Sequence, residues 1–459
     1  MKAALARAAY STLLRLATPL YLLRLLWRGR REPLYRRWFG ERLGFAQSAN
    51  ADTTGRLWLH AVSLGETRAA EALIDELRRQ HPPMRLLLTH GTATGREAGA
   101  TLLREGDAQA WLPYDTPGAV RRFLAAHRPQ AGVIMETEIW PNLLHEAARA
   151  GVPLVLANAR LSERSLRKGQ SLAALMRPAA ACLSMALAQT EADARRLREA
   201  GVREVRVLGN LKFDMAPSEP LHAAGRAWRE ALARPVVLLA VSREGEEAPM
   251  LASWQRLALQ GATGAAVNQR AAGPLLLIVP RHPQRFDEVA ALVRACGLTL
   301  ARRSAWGPSL DGPLPADAAQ ADATQADVWL GDSMREMPLY YALADVALLG
   351  GSFEPLGGQN LIEAAACGCP LLMGPHTFNF EQAAEFALAA GAAARVPDLE
   401  SATGRALQWL AEPGLLAERS RAALHFAAQH RGAAARMAAA VWTCAEDARH
   451  PTPAARAGG

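Results

Sequence analysis

Several polar residues stand directly after short apolar runs, where a strand would end and a helix begin. Glu66 closes HAVSLGE (residues 60–66), with Ser63 and Gly65 suited to a tight turn before it. A carboxylate there can act as general base toward an attacking hydroxyl, or can simply favour the positive end of a helix. METEIWPN (135–142) places Glu136 and Glu138 together. Paired carboxylates in a crevice tune one another's protonation or hold a hydroxylated or cationic group. Helix capping is the plain alternative for Glu138, and Pro141 suits a first helical position. Lys212 in GNLKFD (209–214) is either a solvated lysine or a cation that neutralises developing phosphate or carboxylate charge. Arg281, after Pro280 in IVPRHPQRF (278–286), offers a planar fork to phosphate. His282 beside it either binds ligand or hydrogen-bonds a carbonyl. GDSMREMPLYYALAD (331–345) reads as a turn with Asp332 or Ser333 as N-cap. In LLGGSFEPLGGQNLIEAAACGCP (348–370), glycine pairs precede a helix begun by Asn360. Bare amides before a helix suit an anion, and a tight turn explains the glycines equally well. Ile362 is expected to face inward, with Glu363 able to accept from a ribose diol.

Other chemistries have less support. There is no H-E-x-x-H and no D-x-D, which argues against a metal-chelated nucleotide diphosphate. The five cysteines (Cys182, Cys296, Cys367, Cys369 and Cys444) form no disulfide-like framework, and Cys367 and Cys369 lack a second pair for a metal. The formal net charge of +8 favours anionic partners, whether nucleic acid, acidic lipid or a phosphorylated substrate. Aromatic residues make up 6% and no basic stripe is interleaved with them, so nucleic acid ranks low.

These groups need a scaffold that ends many strands in one place. From Arg56, RLWLHAVS, MRLLLTH, AGVIME, PLVLANAR and MALAQT read as strands separated by helical stretches. The rhythm restarts after GNLKFDMAPSEP with PVVLLAVS, PLLLIVP, ADVALLGG and PLLMG. Such βαβ alternation predicts two tandem α/β units, each a doubly wound parallel sheet with helices on both faces. Ligands in such sheets bind at the carboxyl ends of the strands, and a cleft shared by the two units is expected there. The boundary falls between Pro217 and Gly225. The segments 261–273 and 307–327 read as surface inserts, and the tail from His450 as disordered. At the other end, Leu5, Ala9, Leu13, Leu16, Leu20, Leu23 and Trp27 share one helical face, with Arg7, Arg15, Arg24 and Arg28 elsewhere. The run is too interrupted to span a bilayer or to be a signal peptide. It reads as an amphipathic helix in a membrane surface, kinked at Pro19 and followed by Arg30 and Arg31, or as one packed on its own domain.

Taken together, HAVSLGET, ETEIWPN, NARLSERS, GNLKFD, SREGEE, PRHPQRF, GDSMREM and GGSFEPLGGQNLIEAAACGCPLLMGPHTFNF closely resemble the 3-deoxy-D-manno-octulosonic acid (Kdo) transferases of lipopolysaccharide synthesis. They occur in the family's order as far as about Gln382. The resemblance implies a GT-B glycosyltransferase: 1–32 a membrane-associated helix, 33–217 an acceptor domain, 218–449 a CMP-sugar domain, and 450–459 a disordered tail. It implies an inverting transfer of Kdo from CMP-Kdo to the anionic tetraacyl disaccharide-bisphosphate lipid A precursor, on the cytoplasmic face of the inner membrane. No cofactor and no metal are implied, and no nucleic acid. By the resemblance Glu66 is the general base, and Glu136 and Lys212 assist the transition state. Pro280, Arg281, Met334, Arg335, Glu336, Asn360, Leu361, Ile362 and Glu363 match the CMP site. The chain departs from the family's pattern at Arg243 and Gln359, where histidine is usual, and at Arg335, where glycine is usual. Two other readings stay open on residues alone: a UDP- or GDP-sugar transferase or epimerase, and a membrane-surface nucleotide-binding scaffold without turnover.

Overall fold

The computed structural model describes residues 1–46, 55–214, 216–232, 234–259, 273–307 and 321–449. Most of the two expected inserts, and all of the tail from His450, lie outside those residues.

Runs such as Leu57–His60 and Leu154–Ala159 are buried at every position. Strands with no polar face belong in sheets covered on both sides by helices. Two such sheets form, each of seven parallel strands. The chain divides into two units: 1–214 with 431–459, and 215–430.

In the first unit, α1 (Lys2–Arg28) precedes β1 (Leu57–His60), α2 (Leu64–Gln80), β2 (Leu86–His90), α3 (Ala93–Ala100) and β3 (Ala108–Trp111). Then come α4 (Pro117–His127), β4 (Ala131–Met135), α5 (Pro141–Arg149) and β5 (Leu154–Ala159). The run ends with α6 (Glu163–Ser171), α7 (Ala173–Ala180), β6 (Met185–Ala188), α8 (Glu191–Ala200) and β7 (Val205–Val207). The strand order is β3-β2-β1-β4-β5-β6-β7. The chain winds outward from β1 in one direction, then returns to β4 and winds outward in the other. The reversal lies between β1 and β4, the place where the strand ends of a doubly wound sheet open a crevice.

The second unit repeats the plan. It contains α9 (Glu219–Leu232), β8 (Val236–Ser242), α10 (Glu247–Trp254), β9 (Leu275–Pro280), α11 (Phe286–Ala295) and β10 (Leu300–Arg302). It continues through α12 (Ala321–Thr324), β11 (Val328–Leu330), α13 (Met337–Leu343), β12 (Val346–Leu349), α14 (Leu361–Ala366) and β13 (Leu371–Met373). It closes with α15 (Glu381–Ala389), β14 (Ala393–Arg395), α16 (Leu399–Ala411) and α17 (Pro413–Gln429). The order β10-β11-β9-β8-β12-β13-β14 places the reversal between β8 and β12.

The final helix, α18 (Ala433–Arg449), corrects the expected extent of the second domain, 218–449. It belongs to the first unit. Its stripe of Ala434, Met437, Ala438, Val441 and Trp442 packs into the core that lies on the α2 side of the first sheet. The Trp442 indole donates to Leu77 O at 3.2 Å, and Asp214 accepts from Ala434 N at 2.7 Å at the start of the helix. Small residues let α18 approach α2 closely, and without it that face of the sheet would be wet.

Helix α1 runs without a break through Pro19. It docks on the first unit through polar contacts: Tyr10 Oη donates to Asp115 at 2.9 Å, and Ser11 Oγ to Asn142 Oδ1 at 3.0 Å. Leu5, Leu13, Leu16, Leu20, Leu23 and Trp27 point away from that contact and are 61% to 73% exposed. No described helix is long and apolar enough to cross a membrane.

Candidate active site

At the reversal of the first sheet, β1 and β4 deliver three carboxylates. Ser63 caps α2, and Glu66 is the third residue of that helix. Glu66 Oε2 accepts from Val62 N at 2.8 Å and Oε1 from Ser63 Oγ at 3.2 Å. This reciprocal cap fixes the rotamer and leaves the group half-buried. Burial pushes the carboxyl up to about 7; the Val62 hydrogen bond opposes this, and repulsion from Glu136 and Glu138 adds to it. Glu138 is also raised, by burial first and then by Glu136. It is not a helix cap. Trp140 occupies the N-cap of α5 and Pro141 the first turn, while Asp115 takes the amides of Asn142 (3.1 Å) and Leu143 (2.6 Å). Glu136 has φ of 60°, a left-handed conformation uncommon outside glycine. Such conformations persist where surroundings over-determine them, and they cluster at functional sites.

Lys212 joins this group from the segment after β7. Burial lowers its ammonium pKa, and Glu136 pulls it back up. A chain of side-chain amides places it. Gln189 Nε2 donates to Asn158 O at 2.9 Å, Asn210 Nδ2 to Gln189 Oε1 at 3.0 Å, and Lys212 N to Asn210 Oδ1 at 3.0 Å. Asn158 Oδ1 accepts from Leu211 N at 3.1 Å. Asn158 itself has φ of 51°, and the pairing of β5 with β6 shifts register there. The ends of β1, β4, β5, β6 and β7 thus converge chemically on Glu66, Glu136, Glu138 and Lys212.

In the second unit the first glycine pair, Gly350 and Gly351, has a structural explanation. Val241 at the end of β8 adopts φ of 57°, and the β8–β9 register shifts around it. A Cβ on Gly350 would run into the Val241 carbonyl oxygen. Gly351 has φ of 69°, and its amide donates to the fully buried Glu246 at 2.7 Å. Glu246 also accepts from Arg243 N at 2.8 Å and Phe353 N at 3.3 Å. The loop's bare amides are thus taken up by the protein's own Glu246 carboxyl, whose pKa burial raises against the pull of those amides.

Cations near these strand ends differ in availability. Arg285 is bidentate to Glu247 at 2.7 and 3.1 Å, Arg302 pairs with Asp332 at 2.6 Å, and Arg303 pairs with Glu336 at 2.9 Å. Arg281 is exposed and forms no ion pair with a described residue. Its backbone is fixed by a 3.0 Å bond to Ser242 O. Among the described residues no group of three or more His, Cys, Asp or Glu side chains could hold a metal ion.

Comparison with known proteins decides the family. A family model described as 3-deoxy-D-manno-octulosonic-acid transferase (kdotransferase) matches residues 37–215. The 3-deoxy-D-manno-octulosonic acid transferase of Bordetella pertussis is 50% identical over 395 residues, spanning 84% of this chain and 87% of that one. This chain belongs to the Kdo transferase family. The Haemophilus influenzae transferase is 32% identical, across 82% of this chain and 84% of its own. A crystal structure of UDP-GlcNAc 2-epimerase from Neisseria meningitidis shares the fold: TM-score 0.54, 14% identity, 84% of this chain and 99% of that one. The architecture is therefore GT-B, and the enzyme is a glycosyltransferase that transfers Kdo.

The transferase brings Glu66, Glu136 and Lys212 into one group. The other marked residues are more divided. Asn360 caps α14, accepting from Ile362 N at 3.2 Å. Leu361 and Ile362 are buried, so only their backbone can meet a ligand, whereas Glu363 is partly exposed. Pro280 ends β9 and is buried. Met334 and Arg335 are exposed. Glu336 is occupied, accepting from Arg303 and from Ser333 Oγ at 2.5 Å, and it rather than Asp332 or Ser333 is the N-cap of α13. Asp332 instead takes Arg302 and, at 2.8 Å, Ser304 N, because the chain after β10 lies beside it. Arg335 has φ of 67°, the geometry for which glycine is suited. Sequence reasoning assigns no role to Glu246 or to the amides of Asn158, Gln189 and Asn210, although Glu246 lies in SREGEE, Asn158 in NARLSERS and Asn210 in GNLKFD.

Proposed function

We propose that this Kdo transferase takes Kdo from CMP-Kdo and attaches it to the tetraacyl disaccharide-bisphosphate lipid A precursor, with inversion and without a metal, at the cytoplasmic face of the inner membrane. The observation that carries the reading is Glu66, raised to about 7 within a carboxylate group at the sheet reversal of a Kdo transferase. A base whose pKa lies near working pH combines a useful ionised fraction with real proton affinity. In the proposed step the acceptor hydroxyl oxygen forms the new bond to the Kdo anomeric carbon. Its proton passes to Glu66. The bond from that carbon to the phosphate oxygen breaks, and its electron pair leaves with CMP. The cationic Lys212 beside Glu136 stabilises charge as it develops.

The second unit supplies the donor site in this reading. Arg281 offers an exposed guanidinium that forms no ion pair with a described residue, and Asn360 to Glu363 offer backbone and a carboxylate for the ribose. With Glu336 occupied, the Met334–Glu336 segment serves through its backbone. CMP departs with less charge than a nucleoside diphosphate, which suits the absence of a metal from the mechanism. Helix α1 is proposed to rest its exposed leucine stripe in the bilayer surface, where the lipid acceptor resides.

Incubating the enzyme with CMP-Kdo and the tetraacyl acceptor, then weighing the lipid, tests this. A mass gain of one or more Kdo units with CMP release is expected. An unchanged lipid mass would overturn the acceptor assignment.

A further inference from the structure

A cavity of about 530 Å³ opens in the first unit beside the carboxylates. Its lining is dominated by Ile139, Leu161, Leu166, Leu172, Met176 and Ala180. Thr137 and Ile139, the neighbours of Glu138 on either side, both belong to its wall. The wall therefore reaches the segment that carries Glu138, although the Glu138 side chain is not itself part of the lining. Helix α7 contributes Ala173, Met176, Arg177 and Ala180 to this wall. Its opposite face, through Leu175, Pro178 and Ala179, meets Ala3 and Arg7 of α1 around a second hollow. The cavity thus lies on the helix whose other face meets the first turns of α1. Leu172, at the α6–α7 junction, is 58% exposed. Lys168 and Arg177 outweigh Glu199 at the polar part of the lining, where Glu199 accepts from Gln170 Nε2 at 2.6 Å. The volume falls within the range of about 300 to 1,000 Å³ usual for ligand pockets.

We propose that this cavity holds one fatty acyl chain of the acceptor, so that the lipid is registered by its hydrocarbon before its hydroxyl meets Glu66. This rests on the acceptor reading above and deepens it. The apolar lining matches a hydrocarbon chain. The excess of Lys168 and Arg177 over Glu199 suits an acceptor bearing phosphates, and Thr137 and Ile139 link the cavity to the loop that carries Glu136 and Glu138.

Gly169 supplies a clean probe. It lines the cavity, and a Cβ built there meets no heavy atom within 4 Å. Gly169→Trp should fill the space from α6. The measurement is kcat/KM with the tetraacyl disaccharide bisphosphate and with its fully deacylated counterpart, together with Tm. The ratio of the two should fall at least about tenfold in Gly169→Trp, since each methylene kept in water costs roughly fourfold in affinity. The fall should be smaller in Gly169→Ala. Leu172→Glu, an exposed site, should lower the same ratio and serves if the tryptophan variant fails to fold. Loss of both activities in parallel, or an unchanged ratio in all variants, overturns the acyl site while leaving the acceptor reading intact. Wild-type enzyme that transfers Kdo to neither acceptor overturns the acceptor reading and this proposal with it.

Discussion

Glu66 combines two features that ordinarily exclude one another. Its hydrogen bonds to Val62 and Ser63 are those of a helix cap, which fits a purely structural glutamate. Its carboxyl is nonetheless pushed up to about 7, and a cap carboxylate bathed in amides would ordinarily be pulled down. Burial and two neighbouring carboxylates outweigh the cap. If Glu66 is the base, only its ionised form is active. Activity should then rise with pH through about 7 and level off above it, falling about tenfold per unit on the acid side. Glu66→Gln keeps the acceptor atom of the cap and should lose about 10² to 10⁴ in kcat with donor affinity nearly intact. Equal kcat in the two proteins would return Glu66 to its structural role. Arg335 poses a different question. At φ of 67° an L-residue bears strain that glycine does not. Arg335→Gly should raise stability by about 0.5–1 kcal/mol in urea unfolding, the lost strain exceeding the entropy that glycine adds to the unfolded chain.

At the scale of elements, legibility followed burial. The central strands β1, β2, β4, β5, β6, β8, β9, β12 and β13 announce themselves as apolar runs because both their faces are covered. β3, β7, β10 and β14 are edge strands, and β11 lies next to an edge. They are three or four residues long, and several are part-exposed, as in Ala-Gln-Ala-Trp and Leu-Ala-Arg. Such runs have too little pattern to distinguish them from loops. The candidate site was legible where chemistry and strand ends coincide, as at Glu66, Glu136 and Lys212. It was not legible where a side chain serves a distant segment. Asp115 caps α5 from 27 residues away and Glu246 reaches across 105 residues to Gly351, pairings that no local spacing encodes. Helix α18 was misassigned for the same reason: an alanine-rich helix gives no sign of which sheet it will cover. Its contribution can be measured. Trp442 is 6% exposed over Leu77. Trp442→Ala should cost about 3–5 kcal/mol. Hydrogen exchange should rise in α2 and the first sheet, with protection unchanged in β8, β9 and β12. The reverse pattern would place the helix with the second unit.

At the scale of the whole chain, the net charge of +8 and the outward face of α1 point to the same kind of partner. Among the described residues, no element of the first unit covers this row of six large apolar side chains, and the helix is instead gripped through Tyr10 and Ser11. Two independent forces would hold such a helix to an anionic bilayer. Apolar burial is worth about 1.5–3 kcal/mol per leucine. Attraction of basic residues near the surface adds about 1 kcal/mol each and fades with salt. These contributions can be separated because only one is screened. Vesicle sedimentation with anionic and with zwitterionic lipid should show stronger binding to the former at low salt, and a residual binding at high salt that comes from the stripe. Leu16→Glu with Leu20→Glu should abolish that residual binding and weaken total binding by at least about tenfold. Both positions are exposed, so Tm should hold. Unaltered binding in the double variant would show that α1 does not rest in the bilayer by this face, and the route of the enzyme to a lipid acceptor would have to be sought in its charge alone.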